Sequence, residues 1–289
     1  MRNPRPRNID LSVKGYRLLF SKRAYVMGVL NVTPDSFSDG GKFFDHPAAI
    51  KRGLEMARDG ADIIDVGGES TRPGAADITV KEELSRVIPV IKVLSGKIDI
   101  PISIDTRKAE VAREAISAGA MIINDVSGLN NDPEVAGIAA QNDVALILMH
   151  MRGTPRDMQR RPRYRNLIKD VMSDLKKSIG IARRAGVPEN RIILDPGIGF
   201  AKTIEHNLEI LNRLGQFKGL GHPVCIGTSR KSFIGKILKD NDPVGRLTGT
   251  LATCAIAIMN GADIIRVHDV KEAREVALVA SSVLREKVI

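Results

Sequence analysis

The chain has 289 residues, 43% of them hydrophobic, and carries 44 Lys and Arg against 34 Asp and Glu, a formal net charge of +10. That length suits one α/β barrel with a sizeable core, and the excess positive charge favours anionic partners such as small phosphates. Aromatic residues make up only 3%; with no zinc, helix-turn-helix or RNP-like motif, this argues against a nucleic-acid reader, and no apolar run of about 18 residues predicts a membrane span.

Residues 1–22 show no clear helical period. Leu11 to Phe20 fit a short strand pair that closes the bottom of the structure, as an extension of one domain over residues 23–289. Met1 to Asp10 is basic but lacks the apolar core of a signal peptide, and Cys225 and Cys254 lie in apolar segments with no disulfide spacing. Both features point to a reducing cytoplasm. Tyr25 to Leu30 is the first predicted core strand. It empties into residues 31–41, whose Pro, Gly, Asp and Ser content predicts a flexible loop.

A helix over Pro47 to Asp59 leads to a second strand, Asp62 to Val66, and to another polar loop, residues 67–74. A helix over Val80 to Leu94 precedes the third strand, Pro101 to Ile104, which ends in Asp105. The remaining strands are Met121 to Asn124, Val144 to Met149, Arg191 to Leu194, Pro223 to Ile226 and Asp263 to Val267. Helices are expected from Pro133, over Tyr164 to Ala185, over Pro243 to Met259, and from Lys271. Eight strands alternating with helices predict a single (β/α)8 TIM barrel, with a doubly wound open sheet as the alternative.

One phrase occurs three times: Gly60-Ala61-Asp62-Ile63-Ile64-Asp65-Val66, Gly119-Ala120-Met121-Ile122-Ile123-Asn124-Asp125-Val126 and Gly261-Ala262-Asp263-Ile264-Ile265-Arg266-Val267. The glycine reads as the left-handed residue just past a helix, and the Ile pair as a buried parallel strand. Asp65, Asn124 and Arg266 then hold equivalent places on the second, fourth and eighth strands. Even-numbered strands of a barrel share layers, so these three are expected at one level.

The strand ends together offer Asn31, Asp65, Asp105, Asn124, His150, Asp195, Lys231, Arg266 and His268. Carboxylates and amides beside cations suit a planar heterocycle with several N–H donors and an attached anion. Asn31 provides a hard oxygen suited to Mg²⁺, which bridges phosphates with few protein ligands. Asp65 and Asp125 equally fit carboxylates that satisfy backbone N–H groups at a turn. His46, His206 and His222 read as surface or capping groups.

Several of these stretches resemble the signature loops of the dihydropteroate synthase family: residues 31–41, Glu69-Ser70-Thr71-Arg72-Pro73-Gly74, Asp105-Thr106, Met149-His150-Met151-Arg152-Gly153-Thr154-Pro155, Asp195-Pro196-Gly197-Ile198-Gly199-Phe200, Ser229-Arg230-Lys231-Ser232 and Arg266-Val267-His268-Asp269. The resemblance spans the chain from Tyr25 onward. It implies a transferase of folate biosynthesis that joins 6-hydroxymethyl-7,8-dihydropterin diphosphate to 4-aminobenzoate, giving dihydropteroate and diphosphate. Asp105, Asn124, Asp195 and Lys231 would hold the pterin, with Arg266 against its ring. Asn31, Thr71, Arg72, Arg266 and His268 would hold the diphosphate, with Mg²⁺ near Asn31. Phe37, Pro73, Phe200 and Ser232 would form the aminobenzoate pocket, where sulfonamides would compete.

Asp35, Asn31 and Lys231 would serve catalysis, Asp35 by stabilising the cationic methylene left when diphosphate departs. Ala201 stands where the family often has glycine. Two other readings remain: a pterin-dependent methyltransferase, which has no need of the first two loops, and a non-catalytic pterin-binding relative. The apolar helix at Leu247 to Met259 fits either a core position or the contact of a homodimer.

Overall fold

Short runs of Ile, Val and Leu, alternating with helices, form a parallel barrel. In this computed structural model residues 10–33, 45–71, 74–154, 156–158 and 162–289 are described. Strands β1 (Leu11–Val13) and β2 (Tyr16–Leu18) make an antiparallel hairpin. The barrel strands are β3 (Tyr25–Asn31), β4 (Ile63–Gly67), β5 (Ile102–Asp105), β6 (Ile122–Asp125), β7 (Ala145–Met149), β8 (Ile192–Asp195), β9 (Cys225–Ile226) and β10 (Ile264–Val267). All pair in parallel in the order β8-β7-β6-β5-β4-β3-β10-β9, and a parallel bridge between Leu194 and Val224 joins the two ends. That bridge settles the choice between a barrel and an open sheet.

The helices are α1 (His46–Arg58), α2 (Val80–Ser95), α3 (Ala109–Ser117), α4 (Glu134–Gln141), α5 (Leu167–Arg184), α6 (Ile204–Asn212), α7 (Ser232–Leu238), α8 (Leu247–Met259) and α9 (Val270–Arg285). Alternation along each strand sorts side chains into two populations. Ile64, Ile104, Ile123, Leu148 and Ile265 join the apolar faces of the helices. Met27, Ile63, Ile122, Ile193 and Ile264 cluster inside the barrel with Leu11, Leu18 and Phe20 of the hairpin segment. Both strand faces are therefore apolar, which is why the strands read as continuous hydrophobic runs.

The three repeated glycines are the helix-to-strand joints expected, with φ of 94° at Gly60, 117° at Gly119 and 107° at Gly261. At Gly119 a β-carbon would also sit 2.5 Å from that of Ser95, so both conformation and space require glycine.

Three features differ from expectation. The region from Pro243 is a 3₁₀ turn at Val244–Arg246 followed by α8; the Arg246 guanidinium donates to the carbonyls of Arg230 and Asn241 at 2.9 and 2.7 Å and holds the break in place. Helix α6 and the 3₁₀ segment Leu214–Leu220 had no sufficiently long period to announce them. His222, expected at the surface, is buried with Nε2 3.2 Å from Glu189. Among the described residues no helix is long and apolar enough to cross a membrane.

Candidate active site

The polar residues gather at the carboxyl ends of the barrel strands. Asp65, Asn124 and Arg266 lie at one level, as the repeat predicted. Asp65 Oδ2 accepts from Arg266 Nε at 2.6 Å and from Asn124 Nδ2 at 3.0 Å. Arg266 Nη2 donates to Asp105 Oδ2 at 2.7 Å. One guanidinium thus joins two carboxylates contributed by neighbouring strands. Asp65 is fully buried, and its Oδ1 has no hydrogen-bond partner among the described residues. An unsatisfied buried carboxylate oxygen costs free energy unless a donor reaches it.

Asp65 and Asp125 separate at this point. Asp125 accepts from the Ser127 amide and hydroxyl and from the Leu129 amide, which is the turn role. Asp65 caps no turn, belongs to the site floor, and is the residue that the candidate set of pterin, diphosphate and aminobenzoate ligands left out. Its signal was in the repeat itself, since it occupies the register of Asn124 and Arg266.

Above that floor stand Asp105 and Asp195, both at strand ends and both buried. Burial, with Asp65 and Glu83 nearby, pushes the Asp105 carboxyl up to about 7 despite Arg266. Burial also raises Asp195, whose Oδ1 accepts from the Gly197 amide at 2.7 Å. Lys231 is pushed down to about 8 by burial and by the repulsion of Arg266; its ammonium lies 4.2 Å over the Phe200 ring. Phe200 belongs to an apolar patch with Val126, Met149, Met151, Met158 and Ala201. Ala201 has φ of 50°, a left-handed conformation that glycine would take without strain. One side of the mouth therefore carries hydrogen-bonding groups, and the other is apolar with a cation on its face.

Asn31 closes β3 and is partly exposed. A β-carbon on Gly67 would lie 3.8 Å from Asn31 Oδ1 and 3.5 Å from the β-carbon of Asp105, so the glycine keeps the space between them open. Among the described residues no group of three or more His, Cys, Asp or Glu side chains is placed to hold a metal ion. A single amide oxygen beside open space fits a cation that arrives largely ligated by phosphate and water.

His268 donates or accepts through Nδ1 with Ser229 Oγ at 2.9 Å. Burial, Arg266 and Arg230 push its pKa down to about 3. A pKa that low leaves the ring a neutral imidazole near pH 7. Ser232 is exposed at the first turn of α7, next to Lys231. His150 is held on both sides, by Lys202 Nζ at 3.1 Å and by Asp174 at 3.4 Å, so its ring is committed within the protein. Lys202 itself, 3% exposed, also donates to the Phe200 carbonyl at 2.9 Å; no motif had marked it. Thr71 is partly buried beyond β4. Asp35, Phe37, Arg72 and Pro73 lie outside the described residues.

A closed parallel barrel that gathers buried carboxylates, an amide and two cations at the carboxyl ends of its strands has the build of a barrel enzyme, whose active site lies at that end, and these groups complement a planar, nitrogen-rich ring. Comparison with known proteins agrees. Residues 27–268 match the family described as pterin binding enzyme. The dihydropteroate synthase of Synechocystis sp. is 52% identical over 266 residues, covering 92% of each chain. A Yersinia pestis dihydropteroate synthase solved in a sulfonamide drug complex superposes with a TM-score of 0.89 at 42% identity, covering 95% of this chain and 98% of that one. The Xanthomonas albilineans dihydropteroate synthase with 7,8-dihydropteroate gives a TM-score of 0.85 at 39% identity, with 95% and 98% covered. The chain belongs to the pterin-binding enzymes, and among them to the dihydropteroate synthase family.

Proposed function

We propose that the protein condenses 6-hydroxymethyl-7,8-dihydropterin diphosphate with 4-aminobenzoate, giving 7,8-dihydropteroate and diphosphate, in the cytoplasm. The observation that carries this reading is the Asp65–Arg266–Asp105 arrangement, with Asn124, Asp195 and Lys231 around it. Asp105 and Asp195 each offer a buried carboxylate to ring N–H and amino donors. Asn124 supplies an amide, and Lys231 a donor for the ring carbonyl. Arg266, already fixed by two carboxylates, presents its face to the heterocycle without loss of side-chain freedom. Residues 23–289 would form the catalytic unit, with residues 10–22 closing its lower end.

In the reaction the C–O bond to diphosphate breaks, the arylamine nitrogen forms a C–N bond to the same methylene, and the amine proton leaves to solvent. Thr71, Arg72, Arg266 and His268 would hold the departing diphosphate, His268 donating as a neutral N–H. Mg²⁺ held by Asn31 would neutralise phosphate charge. Phe37, Pro73 and Phe200 would sandwich the aminobenzoate ring, and Ser232 would bind its carboxylate. Asp35 would stabilise positive charge on the methylene.

The deciding experiment incubates the protein with dihydropterin diphosphate, Mg²⁺ and labelled 4-aminobenzoate. Labelled dihydropteroate is expected, and Asp35→Ala should lower turnover by about 10²-fold or more while pterin affinity changes little. Equal losses in both would remove the role given to Asp35, and pterin binding without product would favour a non-catalytic relative.

We also propose a homodimer through α8 and α9. Met259, Val279 and Val283 are exposed there beside a groove of about 500 Å³ lined by Ala255, Val276 and Ala280, an apolar face that a second copy would cover. Sedimentation as a monomer at micromolar concentration would remove this part.

A further inference from the structure

The segment joining β4 to α2 is closed at its neck by an ion-pair cluster. Glu69, whose side chain is 7% exposed, accepts from the Ile78 amide at 3.0 Å and so links the two ends of the segment. Its two oxygens also receive Arg107 Nε at 3.1 Å and Lys108 Nζ at 3.2 Å. Lys108 spends its three N–H donors on Glu69, on the Ile78 carbonyl at 2.9 Å and on the fully buried Glu83 at 2.6 Å. Arg107 completes the cluster through Asp77 at 2.5 Å and Asn131 at 3.3 Å.

Arg107 and Lys108 follow Asp105 by two and three residues. Beside a diphosphate site, two such cations would ordinarily be taken for phosphate ligands. Here every donor of Lys108, and donors on each nitrogen of Arg107, are engaged with protein acceptors. Lys108 has no donor left for a substrate, and the Arg107 guanidinium is held in place by three protein acceptors.

We infer that Arg107 and Lys108 are positioning residues that lock the neck of the β4–α2 segment against the end of β5, holding Thr71 in register with the pterin carboxylate Asp105. The inference rests on the synthase reading of the site. Its physical content is a coupling: the pterin half of the substrate is read at the end of β5, the diphosphate half beyond the end of β4, and the cluster fixes the separation of the two. Small displacements of such groups cost large factors in binding and rate. A compact ammonium with three fixed acceptors is also a site that a planar guanidinium does not reproduce.

The test compares two ligands on the wild-type protein and on Arg107→Gln, Glu69→Gln and Lys108→Met. Dissociation constants are measured by calorimetry for dihydropterin diphosphate and for 6-hydroxymethylpterin, which lacks the diphosphate, with melting temperature recorded alongside. Affinity for the diphosphate ligand should fall about tenfold or more while affinity for the diphosphate-free pterin stays within about twofold. Parallel losses for both ligands, or no loss for either, would overturn the inference. Lys108→Met leaves Glu83 buried without its cation, and should it fail to fold, Glu69→Gln and Arg107→Gln carry the same comparison. Failure of the synthase reading is seen separately, as wild-type protein that binds pterin and forms no dihydropteroate.

Discussion

The two ends of the barrel are built from the same strands and solve opposite problems. At the lower end Leu11, Leu18 and Phe20 sit against Met27, Ile63, Ile122 and Ile264, and the interior is filled with apolar side chains. Two to three residues further along the same strands the interior holds Asp65, Asn124, Asp105, Asp195 and Arg266, with few neutral contacts among them. The lower end contributes burial free energy of about 1.5–3 kcal/mol per large side chain. The upper end keeps charges out of water and recovers the cost only through mutual pairing. Stability is concentrated at one end and chemistry at the other, where substrate replaces solvent as the partner of buried polar atoms.

Removing the shared cation should break this division most strongly. Arg266→Leu leaves Asp65 and Asp105 without their shared cation, with an expected loss of about 3–5 kcal/mol in stability at neutral pH and loss of measurable pterin binding. Urea denaturation and calorimetry check the two effects. A stable variant that still binds pterin would show that the carboxylates do not depend on this guanidinium.

At the other end, Leu11→Ala should cost about 2–5 kcal/mol of stability, since Leu11 is 1% exposed and a cavity would replace its side chain. Pterin affinity measured well below the new melting temperature should stay unchanged. A variant that loses affinity in proportion to stability would erase the distinction between the two ends.

The smallest effect expected is a pH profile. Asp105 is pushed up to about 7; in the proposed role it would accept from ring donors as a carboxylate, so pterin affinity should rise as pH climbs through that value. Lys231, pushed down to about 8, donates best as an ammonium, so affinity should decline above that value. Each limb has a slope of at most about tenfold per pH unit, and the maximum lies between them. The folded chain also keeps a proton on Asp105 between about 4 and 7 that the unfolded chain has released, so this group's contribution to stability falls as pH rises across that window. A flat binding profile from pH 5.5 to 9.5 would detach Asp105 and Lys231 from pterin recognition.

The repeated Gly-Ala phrase alone places strands β4, β6 and β10 and puts Asp65, Asn124 and Arg266 on one level. That inference works because a helix-to-strand joint has strict local requirements, a left-handed glycine and then β-branched residues, which the chain satisfies residue by residue. The fate of the histidines was not legible in the same way. His206 does cap its helix with Thr203, but His222 is buried against Glu189, and His150 is held between Lys202 and Asp174. Their partners are 24 to 52 residues away in sequence, and no local pattern records such a distance. The Glu69, Arg107, Lys108 cluster was missed for the same reason.

By itself the sequence determined the order of the eight barrel strands and of most helices, the polar residues at or next to the strand ends, and the family whose loops those residues resemble. These properties depend on neighbours along the chain, on propensity, periodicity and turn chemistry. Closure of the sheet through Leu194 and Val224, the sharing of Arg266 between Asp65 and Asp105, the neutral state of His268 and the internal engagement of Lys108 were decided only by the tertiary structure. Each depends on which distant groups burial brings within about 3 Å, where desolvation and pairing compete, and that competition exists only once the barrel has closed.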